Sequence, residues 1–198
     1  MYPNSVRQLI DSFKNLPGIG EKSAERLAFS MIHFDKELLT NFSNAIINVR
    51  DLISSCKVCG NISEGDICSI CASKERNNGT IFVVEKPKDI ILFEKLGVYK
   101  GTYHVLNGLI SPLDGVGPDD IHIQKLLERV KDENIKEVIL ALKPSIEGET
   151  TMQYINKVLS NMNVTVSKIA TGVPIGTDME YIDSLTLEMA IDERKDIS

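Results

Sequence analysis

The stretch CKVCGNISEGDICSIC, residues 56–71, decides the local fold because it holds all four cysteines of the chain. Two C-x2-C pairs are separated by eight residues: Cys56 with Cys59, and Cys68 with Cys71. Each pair can turn both thiolates toward one ion, and two pairs complete the tetrahedral shell of a structural zinc. An iron–sulfur cluster also takes four cysteines, but the compact paired turns fit a single tetrahedral ion better. We predict one structural zinc (Zn2+) per chain, in a small finger over residues 54–77.

Residues 1–53, before the finger, have the pattern of two short helices joined by a tight turn. The segments Ser5–Asn15 and Glu21–Met31 carry apolar residues at helical spacing. Between them, the sequence LPGIG at residues 16–20 interrupts any helix. The pattern predicts a helix–hairpin–helix domain.

Four residues of this hairpin are candidates for binding DNA. Gly18 and Gly20 allow another backbone to approach closely, and the helix that follows offers free amides to an anion. Lys22 and Arg26 are four residues apart, so they lie on one face of that helix. We expect these four residues to contact phosphates without reading base sequence. The alternative is an ordinary helical turn with solvated cations.

Residues 78–175 alternate between strand and helix patterns, which predicts an α/β domain with a parallel sheet covered on both faces. The predicted strands are Thr80–Glu85, Thr102–Leu106, Glu137–Leu142 and Val164–Ile169, and the predicted helices are Pro87–Leu96, Asp120–Glu133 and Thr150–Met162. A final helix, Asp178–Ile191, is predicted within a C-terminal arm of residues 176–198. In such sheets the functional site lies at the carboxyl ends of the strands.

The charge of the chain is concentrated near its C-terminus. The net charge is −6 over 198 residues, with 2 basic and 7 acidic residues in positions 177–198. This balance argues against a uniformly basic nucleic-acid binder but leaves room for a local basic face. The longest unbroken apolar run is five residues, Val138–Leu142, too short to span a membrane. The N-terminus lacks a signal-peptide pattern, so we expect a cytoplasmic protein without a membrane partner.

Taken together, the motifs resemble the RecR family of bacterial recombination mediators. The matching segments are LPGIGEKSAERLA (16–28), the four-cysteine stretch (56–71), VVE (83–85), YHVLNGLISPLDGVGP (103–118), LALKPSIEGE (140–149) and GVPIGTDMEYIDSLTL (172–187). The resemblance implies a helix–hairpin–helix, a four-cysteine zinc finger, a Toprim domain over 78–175 and a C-terminal arm that packs on a neighbouring subunit.

The resemblance also implies partners. Homodimers and ring-shaped homotetramers would clamp gapped DNA and associate with it at the nucleoid. Together with RecO and RecF they would help to load the RecA recombinase in DNA repair. These expectations come from the resemblance and not from composition.

Catalysis is not expected from the Toprim domain. Toprim enzymes hold Mg2+ with a Glu after the first strand and an Asp-x-Asp after a later one. Glu85 occupies the first position, but Lys143-Pro144-Ser145 replaces the Asp pair, and an ammonium repels the ion. Glu147 and Glu149 remain nearby in sequence, so we predict a vestigial acidic site of these two residues with Glu85. A Toprim nuclease or primase and a protein-only adaptor are the alternatives.

Two positions depart from the pattern of the family. Lys143 is not the residue usually found there, and at Thr171 a basic or imidazole residue would be more typical. Lys143 either adds positive charge useful for phosphate or partner contact, or is a solvated loop lysine.

Overall fold

The structure is a computed structural model, and it describes residues 2–170 and 172–194. The chain divides into two compact units, Met1–Ile53 and Ser54–Ser198. Thr171, one of the two departures from the family pattern, lies outside the described residues. So do residues 195–198, the end of the acidic arm.

The N-terminal unit contains the two predicted helices, α1 (Asn4–Lys14) and α2 (Glu21–Met31). They pack through a small core in which Ile10, Ala24 and Ala28 are buried. The small side chains of the alanines let the two helices approach closely.

A third helix, α3 (Lys36–Leu52), completes this unit and is not among the helices predicted from the sequence. It begins at an Asp35 cap, whose carboxylate accepts a hydrogen bond of 2.8 Å from the Leu38 amide. None of its 17 residues is buried.

Within the described part of the chain, no helix combines the length and apolar character needed to cross a bilayer.

The second unit opens with the cysteine-rich finger. Two short antiparallel strands, β1 (Ser54–Ser55) and β2 (Ile62–Ser63), flank the first cysteine pair. The one-turn helix α4 (Ser69–Ala72) follows Cys68 and includes Cys71. A 3-10 turn at Lys74–Arg76 then leads into the sheet domain.

The sheet domain confirms the predicted α/β fold. Its four strands are all parallel and lie in the order β4-β3-β5-β6. The strands are β3 (Thr80–Val84), β4 (Thr102–Val105), β5 (Glu137–Ala141) and β6 (Thr165–Lys168). The connecting helices are α5 (Pro87–Leu96), α6 (Ile123–Asp132) and α7 (Ile146–Leu159).

Alternating residues of β3 divide the core between the two faces of the sheet. Ile81 and Val83 belong to the larger cluster, which also contains Leu126 of α6 and Ile155 of α7. Phe82 and Val84 face the opposite cluster, which contains Ile90 of α5. The sheet is therefore covered by helices on both sides, and its strand ends are the part left for a site.

The helix starts differ from the sequence prediction because local caps set them. Helix α7 begins at Ile146 and not at Thr150, since the Ser145 hydroxyl accepts a hydrogen bond from the Gly148 amide. Helix α6 begins three residues late because Pro118–Asp120 forms a 3-10 turn. In the C-terminal arm, α8 (Ser184–Asp192) begins at an Asp183 cap, after a 3-10 turn at 179–181.

Candidate metal centre and nucleic-acid interface

The four predicted metal ligands are brought together by the finger. The Sγ atoms of Cys56, Cys59, Cys68 and Cys71 all lie within 4.8 Å of one another. The Cys59 and Cys68 sulfurs are 3.6 Å apart. In a tetrahedron with Zn–S bonds of about 2.3 Å, sulfurs are about 3.8 Å apart. The donor set and its spacing therefore fit one zinc ion, with all four positions filled by protein.

Backbone amides support the sulfurs as thiolates. The Asn61 amide donates to Cys59 Sγ at 3.4 Å, and the Cys68 amide donates to Cys56 Sγ at 3.3 Å. A hydrogen bond from Cys71 lowers the pKa of Cys59 to about 6. Burial raises the pKa of Cys68, and the bond to Cys59 raises the pKa of Cys71. Four thiols this close together cannot all lose their protons without a cation, because the thiolates repel one another. A divalent cation is therefore what stabilises four thiolates here.

The finger is fastened to the edge of the sheet. The Val105 amide of edge strand β4 donates to the Cys59 carbonyl at 2.8 Å. The next amide, Leu106, points the other way and bonds the Val84 carbonyl of β3. Gly60 has a φ of +77° and follows the first cysteine pair, where an added Cβ would lie 3.2 Å from the Val105 Cβ. The finger thus gives a partner to an amide that an edge strand would otherwise leave free.

The hairpin before α2 adopts a backbone that suits a phosphate. Gly18 has a φ of +81°, which only glycine adopts without strain. Gly20 caps α2, its carbonyl accepts from the Ala24 amide at 2.9 Å, and no side chain caps the helix start. The first amides of α2 are therefore left for solvent or an anion.

The charges around this helix start favour an anion. Glu21, the acid of the first turn, is held by Lys14, whose Nζ lies 2.5 Å from the Glu21 carboxylate. Glu25 accepts a hydrogen bond from the Tyr2 hydroxyl at 3.1 Å. Lys22 is exposed and Arg26 lies beside it on the same face, and neither has an ion-pair partner within the described part of the chain. Both cations are therefore available to contact the phosphates of a nucleic-acid backbone.

Glu85, the first member of the predicted acidic site, follows β3 and has a side chain only 15% exposed. Its carboxylate lies 3.2 Å from Lys86 Nζ. It lines a cavity of about 420 Å³ together with Lys143, which follows the neighbouring strand β5. The position that carries an acid in Toprim enzymes thus holds an ammonium in the same cavity.

The other two carboxylates of the predicted site have different partners. Glu147 accepts a hydrogen bond of 2.7 Å from the Ser145 hydroxyl, and this bond lowers the pKa of Glu147. Glu149 lies 3.9 Å from Lys168 and lines different cavities from Glu85. Within residues 2–170 and 172–194, only the cysteines gather three or more metal-ligating side chains.

One surface is missing from the sequence prediction. Helix α3 presents exposed apolar side chains, and with α1 it forms an apolar groove of about 430 Å³. Leu39, Phe42 and Ile46 of α3 line this groove. Their spacing of three and four residues is the signal from which the amphipathic helix could have been predicted.

Comparison with known proteins identifies the family. Four protein-family models match: the RecR helix-hairpin-helix over residues 6–50, the RecR four-cysteine zinc finger domain over 53–73, the Toprim domain over 79–170 and the RecR C-terminal region over 172–195. "Recombination protein RecR" of Staphylococcus haemolyticus (strain JCSC1435) is 46% identical over 196 residues, 99% of each chain. The chain belongs to the RecR family.

A second relative in the family is equally similar. "Recombination protein RecR" of Staphylococcus saprophyticus (strain ATCC 15305) is 47% identical over 190 residues, 96% of each chain. The resemblance noted in the sequence is thereby confirmed, and so is the structural zinc, because the family finger falls on the four clustered cysteines. The family is one of recombination proteins.

Proposed function

We propose that the protein is a non-catalytic DNA-binding mediator of recombinational repair, acting at gapped DNA as an oligomeric clamp. The observation that carries this proposal is the hairpin. Two cations without ion-pair partners in the described residues, Lys22 and Arg26, lie beside an uncapped helix start whose own acid is neutralised by Lys14. Contacts of this kind read phosphates and no base edges, so binding would be independent of sequence.

Gly18 and Gly20 have distinct parts in this proposal. Gly18 provides the left-handed turn, and Gly20 leaves the helix start bare. An added Cβ meets no atom within 4 Å at either position. The open space in front of both glycines is where a DNA backbone would approach.

The test is a substitution of both cations, Lys22→Ala with Arg26→Ala, measured by fluorescence anisotropy on gapped DNA. Each neutralised phosphate contributes about 0.9 to the slope of log affinity against log salt on duplex DNA. Removing two contacts therefore lowers the slope by about 1.8 for each subunit bound. Arg50→Ala is the matched control, an exposed arginine of the same unit. Unchanged affinity and slope in the double variant would overturn the assignment of the hairpin.

A clamp requires more than one subunit, and the apolar surface of α3 supports this. A helix of 17 residues without a buried side chain gains little from its own unit. Two hairpins held in one oligomer bind DNA with a raised effective concentration, which compensates for few contacts per subunit. We propose that this face joins copies of the chain in the homodimer and the homotetramer.

Ile46→Glu tests this by placing a charge in the apolar groove, since Ile46 is 60% exposed and its replacement should leave the fold intact. We expect sedimentation velocity to show smaller species and DNA affinity to fall with them. Lys36→Glu, at the exposed start of the same helix, is the control. An Ile46→Glu protein with unaltered sedimentation would contradict the interface.

The arrangement at the sheet edge supports a protein that does no chemistry on DNA. Glu85 is paired with Lys86, Lys143 lines the same cavity, and Glu147 and Glu149 have other partners. We propose that the acidic site is vestigial. Mg2+-dependent cleavage or primer synthesis that disappears in Glu85→Ala would favour a Toprim nuclease or primase instead.

The proposed partners are RecO and RecF, with RecA loading as the outcome at the nucleoid. They follow from membership of the family together with the resemblance in the sequence. The assay is RecA assembly on gapped DNA covered by single-strand-binding protein. We expect stimulation only when this protein and RecO are both present. Stimulation that is the same without this protein would contradict the mediator role.

A further inference from the structure

The cavity at the carboxyl edge of the sheet has its own charge pattern. It lies where β3 and β5 end, and its volume of about 420 Å³ falls within the range of small-ligand sites. Its charged lining residues are Glu85, Lys86, Lys88, Asp89 and Lys143. The lining therefore contains three ammonium groups and two carboxylates.

Both carboxylates already have partners within the lining. Glu85 is held by Lys86 at 3.2 Å, and Asp89 accepts the Lys86 backbone amide at 2.9 Å. Lys88 and Lys143 have no ion-pair partner within the described part of the chain. Lys143 also lowers the pKa of Glu147, and Asp89 keeps its charge, but the lining still holds one more ammonium group than carboxylates. This balance favours an anionic ligand over a bare metal ion.

The turn that carries Lys143 is fixed by its neighbours. The Lys143 carbonyl accepts a hydrogen bond of 2.9 Å from the Ser145 amide. Gly148 packs so closely on this carbonyl that an added Cβ would overlap its oxygen. The Ser145 hydroxyl donates to Glu147, which keeps that carboxylate at the start of α7. Lys143 therefore projects from a rigid backbone, which reduces the entropy lost on binding.

We propose that this cavity binds a terminal phosphate monoester of a DNA strand, through Lys88 and Lys143 and without a metal ion. The phosphate chemistry follows from the cavity, and its source in a DNA strand end rests on the proposed function. A phosphate monoester carries close to two negative charges at neutral pH, whereas a phosphodiester carries one. Two ammonium groups without ion pairs therefore prefer a strand end to the interior of a strand.

The dimensions and the apolar lining agree with a terminal nucleotide. Leu92 and Phe93 of α5 and Pro144 after β5 form an apolar wall beside the lysines. A phosphate alone would leave most of the volume empty, while a phosphate with its sugar and base would use it. A gap in DNA exposes such an end, so the site would place the protein at the edge of the gap.

The experiment compares gapped DNA carrying a 5′-phosphate, a 3′-phosphate or only hydroxyl ends at the gap, by fluorescence anisotropy with zinc-loaded protein in a buffer without Mg2+. We expect one phosphorylated end to bind about tenfold more tightly than the hydroxyl ends, since charge-assisted hydrogen bonds are the strong ones. The variant Lys88→Ala with Lys143→Ala should lose this preference and retain its affinity for hydroxyl-ended DNA. Lys157→Ala, an exposed lysine toward the other end of α7, should retain the preference.

The outcomes separate this proposal from the proposed function. The variant with Lys22→Ala and Arg26→Ala should lose affinity for all the DNAs and keep the ratio between them. Equal binding of all ends by the unmodified protein would overturn the proposal, and so would a preference that survives Lys88→Ala with Lys143→Ala. If no DNA binds at all, the protein is titrated with thymidine monophosphate, and binding to the cavity is followed by NMR. Shifts at the Lys88 and Gly148 amides would support a free nucleotide site, and their absence would overturn the phosphate site.

Discussion

His104 makes the stability of the sheet domain depend on pH. It lies in β4, and its side chain is buried. Nε2 bonds the His122 carbonyl at 2.8 Å, and Nδ1 faces a guanidinium nitrogen of Arg129 at 3.5 Å. Burial, together with the charges of Arg129, His122 and Lys125, lowers its pKa from 6.5 to about 3. The folded protein therefore keeps this ring neutral, while the unfolded chain protonates it.

The difference between the folded and unfolded pKa of His104 sets the sign and the size of the pH effect on stability. Because the folded pKa is the lower one, the unfolded state gains the proton first, and stability falls as the pH drops from about 6.5 toward about 3. Each pH unit in this window costs about 1.4 kcal/mol. Between pH 8 and pH 5 the free energy of unfolding should fall by about 2 kcal/mol from this group alone.

The assay is urea unfolding followed by circular dichroism at pH 8 and pH 5, for the unmodified protein and His104→Gln. Glutamine retains a donor toward the His122 carbonyl and has no ring to protonate. Zinc loss at low pH affects both proteins, so it cancels when their pH dependences are subtracted. We expect the difference to be about 2 kcal/mol, and none for the exposed His33→Gln. If His104→Gln had the same pH dependence as the unmodified protein, the buried neutral ring would be the wrong explanation.

Two further predictions concern the finger and the turn before α7. Chelation of zinc should unfold the finger and free the Val105 amide from the Cys59 carbonyl. Hydrogen exchange at the Val105 amide should then become faster, while exchange at Ile139 in the sheet centre stays slow. A Val105 amide that remains protected would contradict this. Gly148→Ala should destabilise the protein by about 1–3 kcal/mol, because the collision with the Lys143 carbonyl outweighs the helix propensity of alanine, about 1 kcal/mol. Gly172→Ala, where an added Cβ meets nothing, is the control for thermal unfolding, and equal stability of the two variants would contradict the close packing.

The sequence predicts the finger and the sheet because their signals are local. The spacing of Cys56, Cys59, Cys68 and Cys71 is enough to define a tetrahedral site, and the structure places their sulfurs together. The central strands β3 and β5 show apolar runs because both of their faces are covered, and each of the four strands lies within one residue of its predicted bounds. Such features depend on neighbours in the sequence or on simple periodicity.

Features that depend on contacts between distant segments could not be predicted in the same way. Glu149 is grouped with Glu85 in the predicted acidic site, yet it lies on α7 and its nearest cation is Lys168 of β6. The start of α7 depends on the Ser145 cap, and serine is common enough in loops to give a weak signal. Ion-pair partners on different elements and the choice among candidate caps are set by packing, which a single sequence does not display.

The unpredicted helix α3 has a different cause. Its apolar residues are spaced correctly for an amphipathic helix, but none of them is buried within the chain. A helix is usually recognised in a sequence by the apolar face that it buries in its own domain, and α3 buries no such face. The exposed face gains a role only in an assembly, which we propose for this protein.

The most direct test of the central claim is a single series on zinc-loaded protein with gapped DNA and Mg2+. The same samples are run on native and denaturing gels at rising salt. A non-catalytic clamp predicts a shift on the native gel that weakens steeply with salt, with every strand intact on the denaturing gel. Cleaved strands would contradict the account by favouring an enzyme. A native gel without any shift would contradict it by leaving a protein-only adaptor.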